Sequence, residues 1–341
     1  MIPRSAGRRF SCSLLGGVFG LLAAASGCGD VTDPSDAGSI TPPDSQTATT
    51  EFAPYFFSWA WGNSSYAFSS LVDMKAKGGP SAVTLAFVLS GTGCNATTDI
   101  QAQRADLDAY VAAGGHIKAS FGGATGTYLE YACASASALA AALGRFVDAT
   151  GITDLDFDLE QQGQSSNPAL NAMRAAALKQ LQDTKHVRVS FTLPAAPSGL
   201  LQESIDILHA AVDAGVTISI INGMTMDYGD GTDLSTTPIR SIDGIAQQVR
   251  TLYPTLDLDH AYQRVGATAM IGKNDDDETF TLDDARLLIA HAHDHKLGLV
   301  SFWAIHRDQI CPPSNSIDLC SRVNAKTFDF SAIFAGVNAT R

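Results

Sequence analysis

Basic residues are scarce in this chain. Its 341 residues hold 22 Lys and Arg against 35 Asp and Glu, a formal net charge of −13. A surface that acidic repels phosphate backbones and excludes nucleic acid as a natural partner, whereas a neutral polymer meets no such barrier. Long apolar runs are lacking as well: after residue 27 no segment is long and apolar enough to cross a bilayer. No CxxC spacing occurs among the cysteines, which argues against a zinc site. No glycine-rich loop follows the first strand-like run, which argues against an open, nucleotide-binding doubly wound sheet.

What is present begins with an address. Arg4, Arg8 and Arg9 precede a short apolar run, Leu14 to Ala25, the pattern of a signal peptide over residues 1–27. Ala25-Ser26-Gly27-Cys28 resembles a bacterial lipobox, with Ala25 where Leu is usual, so Cys28 is expected to carry lipid. The alternative is an ordinary cleavage site with Cys28 merely nearby. Residues 28–50, rich in Asp and Pro and without aromatics, read as a disordered tether. A single catalytic domain is expected over 51–341, acting as a monomer and touching a membrane only through the anchor. Cys94, Cys133, Cys311 and Cys320 suggest two disulfides in an exported protein. Cys311 and Cys320 close a short loop, leaving Cys94 with Cys133, although spacing alone leaves other pairings open.

From Phe52 onward, short β-rich runs alternate with longer Ala- and Leu-rich stretches at helical spacing. Strands are predicted at Tyr55–Trp59, Val83–Leu89, His116–Phe121, Thr153–Leu159, Val187–Leu193, Thr217–Met226, Val265–Ile271 and Leu297–Trp303. Helices are predicted between them, among others over Gln101–Ala113, Ser135–Ala149, Pro168–Gln182, Leu201–Ala214 and Leu282–His293. Gly114-Gly115, Gly151 and Gly215 stand where helices should stop. Eightfold strand–helix alternation over about 290 residues fits a (β/α)8 TIM barrel, an α/β fold whose chemistry sits at the C-terminal ends of its strands.

The fourth strand carries a row of acids, Asp154, Asp156, Asp158 and Glu160, at alternate positions with Leu155, Phe157 and Leu159 between them. Alternation puts the acids on one face, towards the barrel interior, and the apolar set under the helices. Burying carboxylates in a row is costly, so a functional reason is expected. Alternate strand residues lie ~6.6–7 Å apart, which lets Asp158 bridge Asp156 and Glu160. Close like charges share a proton, pushing Glu160 towards the neutral form a general acid needs. A Mg²⁺ or Ca²⁺ site is the rival reading, weakened because the acids lie along one strand and do not converge from several.

These residues resemble the DxxDxDxE motif of glycoside hydrolase family 18, the chitinases, with Asp156, Asp158 and Glu160 matching and Thr153 in the first position. Ser120-Phe-Gly122-Gly123 is similar to the family's SxGG segment. Met224-Thr-Met226-Asp227-Tyr228 is similar to its MxYD segment, with Met226 in place of Tyr. Ser301-Phe-Trp303 is similar to the tip of its eighth strand. Met270-Ile-Gly-Lys-Asn274-Asp275 and Arg307-Asp308 resemble the archaeal and actinobacterial branch. The resemblance implies hydrolysis of β-1,4-linked N-acetylglucosamine in chitin or its oligosaccharides, with substrate-assisted retention and no cofactor. It implies Glu160 as proton donor, Asp158 holding the substrate's acetamido group, and Asp156 sharing a proton with Asp158. Asp227 would hold the acetamido group or sugar, Tyr228 would stand in for the missing Tyr beside Met226, and Trp303 would form the floor under the sugar.

Other candidates are less specific. Trp59 and Trp61 are sugar-stacking platforms or rim packing. His291 and His295 share a helix face, read as a solvent-side helix end in preference to a metal site. Asn274–Glu278 reads as a solvated loop whose first two residues can edge the cleft. A sugar-binding lectin on a catalytically dead barrel, an endo-β-N-acetylglucosaminidase acting on glycoprotein glycans, and a metal-dependent hydrolase are the alternatives.

Overall fold

The computed structural model describes residues 49–161, 163, 166–229, 231–314 and 316–339. The expected signal segment, Cys28 and the tether up to residue 48 lie outside them. Twelve strands occur among the described residues: β1 Glu51–Phe52, β2 Tyr55–Phe57, β3 Ala82–Val88, β4 His116–Gly122, β5 Asp154–Asp158, β6 Arg188–Ala196, β7 Gly199–Leu200, β8 Ile218–Met224, β9 Val265–Met270, β10 Gly272–Lys273, β11 Thr279–Phe280 and β12 Leu299–Trp303. The main sheet runs β1-β12-β9-β8-β6-β5-β4-β3-β2, its strands parallel throughout. Its two outermost strands, β1 and β2, are separated only by Ala53 and Pro54, so the sheet begins and ends on one stave and closes into the expected (β/α)8 barrel. The joint is bonded on both sides: Ala53 N–H donates to Val300 O (3.2 Å) and Thr84 N–H to Pro54 O (3.0 Å).

Local signals explain the alternation. The helix Ala136–Thr150 starts at Ser135, whose hydroxyl accepts from Ala138 N–H (3.2 Å), and stops at Gly151 with φ 72°, where the left-handed turn favours glycine. The helix Pro168–Lys185 is capped by Asn167 with proline in its first turn, and Leu282–His295 by a Thr281/Asp284 capping box. On β5, Leu155 and Phe157 face outward and are buried in the main core cluster with helix residues such as Phe146 and Leu178. Phe157 stacks on Phe121 (5.3 Å) and lies 5.9 Å from Phe191. The inward residues of the same strand are the acids, all buried. Disulfides join Cys94 to Cys133 and Cys311 to Cys320. Among the described residues no helix is long and apolar enough to cross a membrane.

Candidate active site

The barrel interior is filled in layers, set by the register of parallel strands. At the N-terminal floor, Asp154 is bonded by Arg188 (3.0 Å) and approached by His116 (3.6 Å), while Lys118 stands 3.6 Å from Glu51. One layer up, Asp156 pairs in register with Ser120 and Ser190. Asp156 accepts from Ser120 Oγ (2.8 Å), Ser190 Oγ (2.7 Å) and Thr192 Oγ1 (2.9 Å), a donor set suited to an ionised carboxylate. At the mouth, Tyr55 donates to Asp158 Oδ2 (3.1 Å) and lies 3.4 Å from Asp156 Oδ2. Asp154 therefore belongs to the floor and is not part of the mouth, although it shares the face of the other acids.

Asp158 and Glu160 stand close enough that the protonation of one depends on the charge of the other. Burial is the main cause that raises both above the usual carboxylate range. The charges of Glu160 and Asp156 add to it at Asp158, and those of Asp227 and Asp275 at Glu160. Asp156 is raised by burial as well, against the positive charge of Lys118 and its three hydroxyl donors.

Above these acids lies a cavity of about 140 Å³, lined by Tyr55, Asp158, Glu160, Met226, Asp227 and Trp303 among others. Phe87 and Trp303 continue from it into an adjoining hollow of about 620 Å³, which Trp59 and Trp61 also line. Phe87 stacks on Trp303 (centroids 5.6 Å, interplanar 12°). Trp59 is 46% exposed and stacks on Phe57 (4.5 Å), whose other neighbour is the buried His306 (4.7 Å). Trp61 is tied to Asp106 through its indole N–H (2.8 Å) and lies against Phe56 (5.4 Å), so packing claims much of its ring.

Two of the candidate residues, Ser120 and Tyr228, stand away from the cavity. Ser120 is fully buried and holds Asp156, without reaching the cavity. Tyr228 does not line the cavity: its hydroxyl is buried and faces Ser241. Continued strand alternation would put Tyr228 on the face of Met226, but β8 ends at Met224 and Asp227 turns the chain with φ 50°. A non-glycine residue in that region needs support. Asn274 supplies it by accepting from Asp227 N–H (3.3 Å), and Asp227 Oδ1 accepts from Asp275 N–H (2.9 Å). The 274–278 segment is thus more than a solvated loop: Asn274 and Glu278 are buried, Glu278 accepts from Tyr228 N–H (3.2 Å), and Asp275 lines the cavity. Arg307, also buried, donates to Ile271 O (2.9 Å) and Lys273 O beneath this turn, and Asp308 anchors Phe330 N–H (3.1 Å) and Ser331 N–H (2.7 Å). His291 and His295 share a face as predicted, packed with each other and with Tyr262.

Some residues at the site escaped the sequence. Tyr55 sits at an inward position of the first stave, where its aromatic ring could have been flagged by alternation with Phe56. Tyr128 left no such signal: its phenol oxygen accepts from the N–H groups of Glu160 and Gln161 (3.0 Å each) and donates to Gly123 O (3.0 Å).

No family model matches the chain. Endochitinase 11 of Metarhizium anisopliae is 33% identical over 246 residues, 66% of this chain and 47% of that protein. A probable bifunctional chitinase/lysozyme of Escherichia coli (strain K12) is 31% identical over 255 residues, 69% of this chain and 28% of that one. The chain thus spans half or less of the length of these curated relatives. The catalytic domain of a hyperthermophilic chitinase from Pyrococcus furiosus superposes with a TM-score of 0.75 at 29% identity, covering 84% of this chain and 94% of that domain. With the barrel, the acid row and these relatives in agreement, the chain belongs to the family 18 glycoside hydrolases, the chitinases.

Proposed function

We propose that the protein hydrolyses β-1,4-linked N-acetylglucosamine polymers or oligosaccharides with retention, the substrate's own acetamido group acting as nucleophile. The observation that carries this reading is the row Asp156–Asp158–Glu160, buried at its inner end, which opens at Glu160 into an aromatic-walled groove. Glu160 protonates the departing glycosidic oxygen. The acetamido oxygen attacks the anomeric carbon and forms an oxazolinium, which water then opens. Asp158 accepts from the acetamido N–H and stabilises the developing positive charge, while Asp156 supports it from below. Trp303 carries the apolar face of the sugar, and Trp59 extends that platform along the groove. Asp227 holds the sugar from the opposite wall, with Met226 beside it. Such enzymes depart from the two-carboxylate retaining scheme because one carboxylate is replaced by the substrate.

Export with a lipid anchor at Cys28, ahead of a tether and this one catalytic domain, belongs to the same proposal; it fits the two disulfides, which persist in oxidising compartments. Soluble chito-oligosaccharides assayed with the wild type, Glu160→Gln and Asp158→Asn, with and without EDTA, test the catalytic reading. Turnover that survives EDTA and falls on the order of 10²-fold or more in each variant is expected. Binding without turnover in the wild type would indicate a lectin, and loss of activity in EDTA a metal-dependent hydrolase.

A further inference from the structure

A lysine is buried in the floor of the barrel. Lys118 is 1% exposed, and its ammonium has no hydrogen-bond partner among the described residues. It lies on β4 two residues before Ser120, so its side chain occupies the layer directly beneath the Ser120–Asp156 bond. The groups facing this layer are Glu51 on β1, Tyr55 on β2, His116 on β4, Asp154 and Asp156 on β5, and Arg188 on β6.

Their arrangement is asymmetric. Asp154 has a half-exposed cation of its own in Arg188 (3.0 Å), and Glu51 has His116 (3.4 Å), both reached from the solvent side of the floor. Asp156 has hydroxyl donors but no such cation, and Lys118 stands between it and the floor. A buried ammonium costs free energy unless it faces negative charge. Glu51 at 3.6 Å partly offsets that charge from the floor, and the Lys118 charge also acts on Asp156 in the layer above.

Resting on the catalytic reading above, we propose that Lys118 is a positioning residue for the proton of the acid row: its charge keeps Asp156 ionised from below, leaving the row's proton to the Asp158–Glu160 end, where it is transferred. Nearby opposite charge favours the ionised form of a carboxyl group and burial opposes it. Asp156 feels both, and Lys118 is the largest influence favouring ionisation. Without Lys118 the proton moves inward to Asp156, away from Glu160. All carboxyl groups of the row then release their protons at higher pH.

The test uses the full-length protein and the variants Lys118→Met, Lys118→Gln and Lys118→Arg, with an N-acetylglucosamine tetramer as substrate. Both limbs of the kcat/KM–pH profile are expected to move to higher pH by about one pH unit in the first two and to return towards wild type in Lys118→Arg. Limbs that stay in place while only the melting temperature falls would reduce Lys118 to a packing residue and overturn the proposal. Should Lys118→Met fail to fold, Lys118→Gln keeps a polar group towards Glu51. A second readout does not need turnover: the ¹³C carboxyl resonance of Asp156, identified by its loss in Asp156→Asn, should titrate at higher pH in Lys118→Gln than in the wild type. If the wild type fails to cleave the tetramer, the catalytic reading falls, while this titration still decides whether Lys118 governs Asp156.

Discussion

Tyr128 carries no charge and does not line the cavity, yet it fixes where Glu160 begins. Its phenol oxygen accepts from two backbone N–H groups and its O–H donates to Gly123 O. Removing that oxygen in Tyr128→Phe leaves buried donors unmatched, at a cost of about 1–3 kcal/mol. The expected outcome is a melting point lowered by several degrees and a kcat reduced roughly tenfold with KM little changed, because the donor is misplaced while the groove remains. Steady-state kinetics with thermal unfolding checks both. The contrast with the acids is instructive. Asp156, Asp158 and Glu160 were legible because a period of two is printed in the sequence and because buried carboxylates call for a reason. Tyr128 serves backbone groups 32 and 33 residues away, and no local pattern records that. Tyr228 lies off the cavity for a third reason: alternation holds only while the strand lasts, and the chain turns at Asp227.

At the scale of elements, the segment after β4 lines the site through Ala124 and is tied down at several points. Tyr128 is one, the bond from Arg174 to the buried Glu130 (2.6 Å) is another, and the Cys94–Cys133 disulfide is a third. The disulfide closes a loop of 39 residues in sequence separation, which in the chain-entropy account stabilises the fold by about 3–4 kcal/mol. Replacing both cysteines by alanine should lower stability by up to that amount in denaturant titrations. The loss of activity should be smaller than in Tyr128→Phe, since the phenol contact survives. The staves and helices themselves were readable from periodicity and glycine stops. The break at Ala53-Pro54 was not, because pairing with β12 on one side and β3 on the other is a property of closure and leaves no trace in local composition. The 274–278 segment misled in the same way: its run of acids looks solvated, and only the fold reveals that Asn274 and Glu278 bond the backbone of Asp227 and Tyr228.

At the scale of the whole molecule, one buried group works against the fold in acid. His306 is fully buried between Phe57 N–H (3.4 Å to Nδ1) and Phe68 O (3.1 Å to Nε2), a pairing that suits the neutral ring with its proton on Nε2. Burial pushes its pKa down to about 3 from an unfolded value near 6.5. The unfolded chain therefore binds a proton that the folded one refuses. The contribution of His306 is complete above pH ~6.5 and is lost progressively as pH falls towards about 3. His306→Gln, which keeps a donor and an acceptor, should show a shallower loss of stability over that window in melting temperatures measured from pH 7 to pH 4. Because His306 backs the Phe57–Trp59 stack, acid unfolding should reach the groove as well. The hydrogen bonds between Thr50 and Asn338, 3.0 Å and 2.8 Å, carry a different consequence. They bring the two ends of the barrel together at the pole where the parallel strands begin, which is the pole away from the groove. A label attached beside Thr50 or Asn338 would therefore sit at the far pole and leave the mouth of the cavity uncovered.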